Sequence, residues 1–322
     1  AALAIGHLCA RDTTMQEELA AVQALPRIAE LLDCSFSERG VRDLALVFKA
    51  LSANRMHHPR LLRQFIEASG PQRLINALGA STASAKELDR QQALLEIVRS
   101  LAGHAAARDA LLAANALPRL LRMLMPSVAL RFADPAAAAL ATMATHGPSC
   151  EALLKAQALP ALVLVLGRGP GTAAAQSGAS AMRRIAELRP EAQQRARDAG
   201  AIEALIPLLD GAFSSNPPDQ AAAESAADGL AAIVRGSKRS ASEVLSLGGL
   251  QTLAGILGQA QTPAKLRVAA IRVLDLCATT EGACMKEVTR LGVPALPVAL
   301  LRSASRAVAA AAAHALAAPP PP

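Results

Sequence analysis

The stretch AGAIEALIPLLDG at 199–211 combines a glycine, apolar residues at helical spacing, one internal proline and a double leucine. This spacing predicts a short helix with one apolar face. None of its residue types points to catalysis. The informative feature of the stretch is how often the chain repeats it.

Related phrases recur along the whole chain. They are ALPRIAELLD from Ala24, GPQRLINALGA from Gly70, ALPRLLRMLMP from Ala116, ALPALVLVLGRG from Ala158, AIEALIPLLDG from Ala201, GLQTLAGILGQ from Gly249 and GVPALPVALLRS from Gly292. Their anchor residues lie 42 to 48 positions apart. An all-helical period in the forties is typical of a helical solenoid.

Each period divides into a short helix, a middle helix and a long helix. CEALLKAQA, for example, precedes one phrase, and PAKLRVAAIRVLDLCAT follows another. A proline at the second or third position of a phrase fits the first helical turn. The small residue that opens each phrase predicts the sharp corner between the first two helices. Ser37, Asp219 and Thr262 are predicted to cap long helices.

This pattern resembles the armadillo repeat family, with GAIEALIPLL as its most specific element and about seven units in register. The resemblance implies an all-α fold, a right-handed α-alpha superhelix of the armadillo-type helical solenoid with three helices per repeat. The HEAT repeat, with two helices, is the alternative. The predicted units are 1–14 (partial), 15–55, 56–103, 104–146, 147–188, 189–236, 237–279 and 280–318, followed by the start of a proline-rich tail at 319–322.

Composition agrees with a helical array. Hydrophobic residues make up 52% of the chain and aromatic residues only 2%, with neither Trp nor Tyr. Alanine and leucine supply the apolar mass and favour helix. Stacked units bury the apolar faces that one unit cannot bury alone. We find no apolar run of membrane-spanning length. The first residues read as the middle of a helix, so further repeats or domains are expected in a longer parent chain.

Charge and cysteine content restrict the kind of partner and the cellular compartment. The formal net charge is +7, which permits an acidic partner. Five scattered cysteines without a C-x-x-C pair indicate a reducing compartment. An intracellular location is expected, with the cytoplasm first and the nucleus, cilium or cytoskeleton as alternatives.

The armadillo resemblance implies that the third helices line a concave groove for extended partners. In the nuclear-import adaptors of that family, these helices carry Trp and Asn four residues apart. The Trp column falls here on Leu3, Lys49, Glu96, Ala138, Ser180, Asp228 and Ile271. The Asn column falls on His7, Ala53, Ser100, Thr142, Arg184, Ala232 and Asp275. Neither column contains its residue, so the import-adaptor function is excluded.

A modest basic bias on the third helices suits an acidic or phosphorylated partner segment. The alternative is that these residues form ordinary solvated helix faces. The candidate groove residues are His7, Lys49, Glu96, Ser100, Thr142, Arg183, Arg184, Asp228, Arg267 and Asp275, with Arg272 as a further basic residue on the last long helix.

Other motifs point away from chemistry. The six histidines form no H-x-x-x-H pair, so neither a metal nor a cofactor is expected. The break TTEG at 279–282 is predicted to put Cys277 and Cys284 on separate helices as core residues. GRGPGT at 167–172 follows a helix and lacks the P-loop lysine, so it is interpreted as a connector. No catalytic triad is found, and the missing aromatic residues disfavour specific nucleic-acid binding.

The sequence therefore predicts a non-enzymatic scaffold that binds an extended or helical segment of a partner protein. One alternative is the substrate-recognition arm of a larger enzyme, such as an armadillo-type ubiquitin ligase. Another is a structural component of a cytoskeletal or ciliary assembly.

Overall fold

In the computed structural model, residues 21, 23–31, 59–78, 85–259 and 261–292 are described. All regular structure in these ranges is α-helical. The helices are α1 (Ala24–Leu31), α2 (Pro59–Glu67), α3 (Gly70–Ala77), α4 (Ala85–Ala102), α5 (Ala105–Ala113), α6 (Ala116–Arg122), α7 (Leu130–Met143), α8 (Gly147–Lys155), α9 (Ala158–Leu166), α10 (Ala173–Leu188), α11 (Pro190–Asp198), α12 (Ala201–Ser214), α13 (Gln220–Val234), α14 (Lys238–Ser246), α15 (Gly249–Gly258), α16 (Ala264–Thr280) and α17 (Gly282–Arg290).

The chain forms two compact units, Ala1–Ala156 and Gln157–Pro322. In the first unit, the long helices α4 and α7 pack side by side. In the second unit, α13 lies between α10 and α16 and packs against both. The predicted order of short, middle and long helix is the order that the described residues show. The residue boundaries proposed for the repeats stay a prediction.

Alanine supplies much of the buried surface. On α13 the fully or almost fully buried side chains include Ala222, Ala223, Ala226 and Ala227. Each contributes little apolar area, but small side chains let neighbouring helices approach closely and share a dense interface. Leucine fills the remaining volume, as at Leu205 and the other buried leucines of the middle helices.

A left-handed residue makes each corner between a short and a middle helix. The residues with positive φ at these corners are Gln23, Ser69, Asn115, Gln157, Gly200, Gly248 and Gly292. Except at the last corner, this residue lies directly before the small residue that was predicted to make the corner, so the predicted corner position is wrong by one residue. The small residue instead begins the middle helix, and its size is set by packing. A Cβ on Gly70, for instance, would lie 2.4 Å from Cε2 of Phe65.

Exchanging residues between two corners isolates the backbone contribution. We expect Ser69→Gly to stabilise the fold and Gly248→Ser to destabilise it, each by about 0.5–1 kcal/mol, because only glycine adopts positive φ without strain. A side chain at 248 has open space, since its Cβ meets only Oε1 of Gln251 at 3.8 Å. The free energy of unfolding in urea measures both effects, and two changes of the same sign would contradict the assignment.

The predicted caps have mixed outcomes. Asp219 is the N-cap of α13, and its Oδ1 accepts a hydrogen bond from the Ala222 N–H at 3.1 Å. The prediction for Thr262 is wrong, because Pro263 occupies the N-cap of α16. The Thr262 hydroxyl is buried and donates to the Ile256 carbonyl at 2.7 Å, which ties the connection back to α15. Ser37 lies outside the described residues.

Candidate functional site

Two contacts between polar side chains join successive long helices of the second unit. The hydroxyls of Ser180 on α10 and Ser225 on α13 lie 3.5 Å apart. Nη1 of Arg272 on α16 lies 3.3 Å from Oδ1 of Asp228 on α13. Half of the Arg272 side chain and 37% of the Asp228 side chain remain exposed. The face formed by these three helices, here called the long-helix face, is therefore open to solvent and polar.

In the first unit, an ion pair also joins two successive long helices, α4 and α7. Nη1 of Arg131 lies 3.4 Å from Oδ1 of Asp89 across the two helices. Glu96 forms an ion pair with Arg99 on its own helix at 2.7 Å. Ser100 is 8% exposed, which makes it part of the helix packing rather than an open contact. The Thr142 hydroxyl donates to the Ala138 carbonyl at 2.8 Å.

The basic candidates of the second unit differ in how they are held. Nη1 of Arg183 pairs with Oε1 of Glu187 at 2.9 Å, one turn along α10. Nη2 of Arg267 donates to the Gln259 carbonyl at 3.0 Å. Arg184 is partly exposed, and within the described ranges no ion pair or hydrogen bond holds its guanidinium. Arg184 on α10 and the exposed Lys265 at the start of α16 are therefore the basic groups of this face with the most freedom to meet a ligand.

The remaining candidates are placed as follows. Asp275 is partly exposed on α16, and its backbone carbonyl accepts a hydrogen bond from the Thr279 hydroxyl at 2.7 Å. His7 and Lys49 lie outside the described residues. The structure thus brings Arg184, Asp228 and Asp275 onto one set of long helices, whereas Glu96 and Thr142 belong to the other unit.

Each of the two columns predicted from the repeat spacing contains a residue that does not reach the surface. Ile271 is 3% exposed and Ala232 is 2% exposed, so both belong to the core. The cross-helix contacts instead relate Ser180 to Ser225 and Asp228 to Arg272. Ser225 is not among the predicted residues, and the only signal for it in the sequence is the helical periodicity of α13.

Opposite charges nearly balance on the long-helix face. Its three helices carry five basic and four acidic residues, so the excess is one positive charge. The basic residues are Arg183, Arg184, Lys265, Arg267 and Arg272, and the acidic residues are Glu187, Glu224, Asp228 and Asp275. The charge of the whole chain is therefore spread widely rather than gathered on this face.

One carboxyl group with a perturbed pKa lies away from the long helices. Burial, with help from the nearby Glu203 carboxylate, raises the pKa of Glu243 on the short helix α14, against the opposing effect of Arg197 and Arg239. Among the described residues, no three His, Cys, Asp or Glu side chains converge in an arrangement that could hold a metal ion. No single helix in these ranges is both long enough and apolar enough to cross a membrane.

The connector at 167–172 is tied to the next repeat. The backbone N–H of Gly171 donates to Oδ2 of Asp219 at 2.7 Å, while the other carboxylate oxygen caps α13. One carboxylate thus fixes both the α9–α10 connection and the start of a long helix. This confirms the interpretation of GRGPGT as a connector between helices.

Solved structures share this architecture. An engineered protein has a TM-score of 0.81 and 21% sequence identity, over 97% of this chain and 72% of its own. A designed armadillo repeat protein has a TM-score of 0.65 and 21% identity, over 76% and 98% of the two chains. Another, solved in complex with the peptide (KR)4, has a TM-score of 0.64 and 22% identity over the same shares. No family model matches the chain, and a search of curated proteins finds no significant match.

These likenesses and the repeated helix triplets define the class of fold. The chain is an all-α repeat protein with the armadillo-type solenoid fold. This confirms the fold class predicted from the recurring phrase. The handedness of the superhelix stays a prediction.

Proposed function

We propose that the chain is a non-enzymatic scaffold whose long-helix face binds an extended or helical segment of a partner protein. The observation that carries the proposal is the polar row across consecutive long helices, with Ser180 beside Ser225 and Asp228 beside Arg272. Polar groups spaced from helix to helix offer hydrogen bonds to successive parts of an extended chain. Designed proteins of the same fold were made for modular peptide recognition.

The partner segment is proposed to be acidic or phosphorylated. Arg184 and Arg272 supply accessible positive charge in the middle of the face, and Lys265 adds an exposed ammonium group at the start of α16. The bond between Arg272 and Asp228 is exposed, and such surface pairs contribute about 0–1 kcal/mol. A carboxylate or phosphate can therefore compete with Asp228 for the guanidinium. This partner differs in charge from the peptide (KR)4 in the complex of the designed protein.

Reversing both charges on the face tests the partner chemistry. We expect Arg184→Glu combined with Arg272→Glu to weaken binding of a glutamate-rich or phosphoserine peptide by about tenfold, or about 1.4 kcal/mol. Fluorescence anisotropy with labelled peptides of equal length measures the dissociation constants. A Gly-Ser peptide and a Lys-Arg peptide complete the set.

The matched control combines Arg195→Glu with Arg239→Glu, two exposed arginines on the short helices α11 and α14 of the same unit, so that the charge changes by as much as in the test variant. It changes the charge of the chain without touching the long-helix face, so peptide affinity should stay close to that of the unaltered chain. Equal losses of peptide affinity in the control and in the variant altered at Arg184 and Arg272 would show that total charge, rather than this face, attracts the peptide. If the unaltered chain prefers the Lys-Arg peptide, the acidic partner is wrong.

The cellular setting is also a proposal. The described cysteines Cys150, Cys277 and Cys284 are free thiols, which suits a reducing intracellular compartment. Localisation of a fluorescently tagged chain in cells tests this proposal, and secretion of the tagged protein would contradict it.

A further inference from the structure

The charges of the long-helix face are sorted by helix. Helix α10 carries two basic residues and one acidic residue, which gives a net charge of +1. Helix α13 carries two acidic residues and no basic residue, which gives −2. Helix α16 carries three basic residues and one acidic residue, which gives +2. Because α13 lies between the other two helices, a chain that crosses the face meets positive, negative and then positive charge.

Side-chain contacts place one charged residue of each helix at a similar level. Asp228 and Arg272 pair at 3.3 Å, which sets the level of α13 against α16. The hydroxyls of Ser180 and Ser225 lie 3.5 Å apart, which sets the level of α10 against α13. Arg184 and Asp228 follow these serines by about one helical turn on their respective helices. Arg184, Asp228 and Arg272 therefore form a row across the three helices, and each is at least partly exposed.

The negative helix has a second carboxylate beside this row. Glu224 lies four residues before Asp228, so the two carboxylates share one face of α13 and repel each other. Both residues are partly exposed. When a carboxylate of the partner takes the guanidinium of Arg272, Asp228 loses its ion pair with α16. A basic side chain of the partner placed over α13 replaces that ion pair and offsets the repulsion.

The spacing of packed helices favours one conformation of the crossing segment. Packed helices lie about 8–10 Å apart. A polyproline II segment has about three residues per turn and rises about 3.1 Å per residue, so every third side chain lies on one side at intervals of about 9 Å. In a β-strand, residues three apart point to opposite sides. A polyproline II segment can therefore present one side chain to each long helix at every third position.

We propose that the long-helix face binds an extended segment with the charge order acidic, basic, acidic at every third residue. The outer acidic residues pair with Arg184 and Arg272, and the central basic residue lies over Glu224 and Asp228. The order is the same in both directions along the segment, so it does not depend on which way the segment runs. The inference rests on the proposed function, since it assigns a charge order to the segment that the same face binds.

Three labelled peptides of equal length, with proline and alanine between the charged positions, test the order by fluorescence anisotropy. The first carries glutamate, lysine and glutamate at every third residue. The second has the same composition in the order lysine, glutamate, glutamate, and the third has glutamine in place of the lysine. We expect the first peptide to bind about tenfold more tightly than the second, which sets like charges against α10 and α13, and about threefold more tightly than the third.

The glutamine peptide separates charge order from general attraction. The chain has a formal net charge of +7, so attraction by total charge favours the glutamine peptide, which is more negative than the lysine peptide of the same order. Tighter binding of the lysine peptide therefore requires a local negative site on the protein, and tighter binding of the glutamine peptide would overturn the inference.

The remaining outcomes distinguish the inference from the proposed function. Equal binding of the two peptides of the same composition would overturn the charge order. If Arg184→Glu combined with Arg272→Glu still weakens both of them, the proposed function stands without the charge order. If no peptide binds, or if this variant binds all three as tightly as the unaltered chain does, the proposed function is wrong and the charge order is wrong with it.

Neutralising α13 tests whether its carboxylates recognise the basic residue. In Glu224→Gln combined with Asp228→Asn, the preference for the lysine peptide over the glutamine peptide should disappear. The control combines Glu191→Gln with Asp210→Asn, exposed residues of α11 and α12 in the same unit, and it should keep the preference. Far-ultraviolet circular dichroism checks that both variants are folded. Retention of the preference in the α13 variant, or its loss in both variants, would overturn the assignment of the basic residue to α13.

Discussion

The Gly249→Ala variant is expected to unfold with a free energy about 1–3 kcal/mol lower than that of the unaltered chain, because the new methyl group overpacks a filled core. Its Cβ would lie 2.8 Å from Cγ1 of Val244, 2.9 Å from Cδ1 of Ile206 and 3.1 Å from the Val244 carbonyl oxygen. The carbonyl oxygen belongs to the backbone of α14, so a change of side-chain rotamer cannot relieve that contact. Urea unfolding followed by far-ultraviolet circular dichroism measures the loss.

Gly255→Ala on the same helix is the matched control. A Cβ at 255 meets no atom within 4 Å, so only the helix propensity changes. Alanine there is expected to stabilise the chain by about 0.5–1 kcal/mol. The same substitution thus has opposite signs at two positions of α15. A gain at both positions would show that the first residue of α15 is not confined by Val244 and Ile206.

The repeat and its helix order could be predicted from the sequence because the phrase recurs in register. The corner conformation could not be predicted as well, since the residue with positive φ varies. Gly200 and Gly248 are recognisable, and Asn115 is partly so because asparagine tolerates positive φ, but Ser69 and Gln157 adopt the same conformation without any compositional sign. At these positions the packing of the two flanking helices decides the backbone angle, and the strain at a single residue is small beside that packing.

The candidate site was harder to predict than the fold. Helical periodicity identifies the partly exposed positions of one helix, such as Arg184, but it does not say which residue of the next helix lies beside them. That pairing depends on the axial offset between neighbouring helices. The offset in turn depends on connections such as the one between α9 and α10, which Asp219 ties to the start of α13. The spacing related Asp228 to Ile271, whereas the structure pairs Asp228 with Arg272. A shift of one residue was enough to move a predicted groove position from the surface into the core.

The positions of Cys277 and Cys284 show the same limit of prediction from the sequence. The break at 279–282 correctly placed Cys277 and Cys284 on different helices, and their buried positions agree with the predicted core role. The repeat spacing did not reveal that the turn at Glu281 packs α17 back against α16. Short helices that pack back on a preceding long helix create neighbours that a one-dimensional repeat pattern does not show.

Close helix packing in the second unit predicts a second large loss of stability, on replacement of Gly178 on α10. A Cβ there would lie 2.5 Å from Cγ1 of Val165 on α9. The β-branched valine has few alternative rotamers, and it is fully buried. We expect Gly178→Ala to destabilise the chain by about 1–3 kcal/mol. Val165→Ala should also cost about 1–3 kcal/mol, because it removes two buried methyl groups and leaves a cavity.

Combining the two substitutions should recover part of both losses, because the alanine methyl at 178 occupies space that the valine methyls vacate. The double variant is expected to be about 1–2 kcal/mol more stable than the sum of the single effects predicts. Val165→Ala combined with Gly255→Ala is the control pair, and its two effects should add to within about 0.5 kcal/mol. Additive losses in the Gly178 pair, measured by the same urea unfolding, would mean that α9 and α10 can separate at this contact. A favourable coupling confined to that pair would establish that direct contact between these two side chains excludes a larger residue at 178.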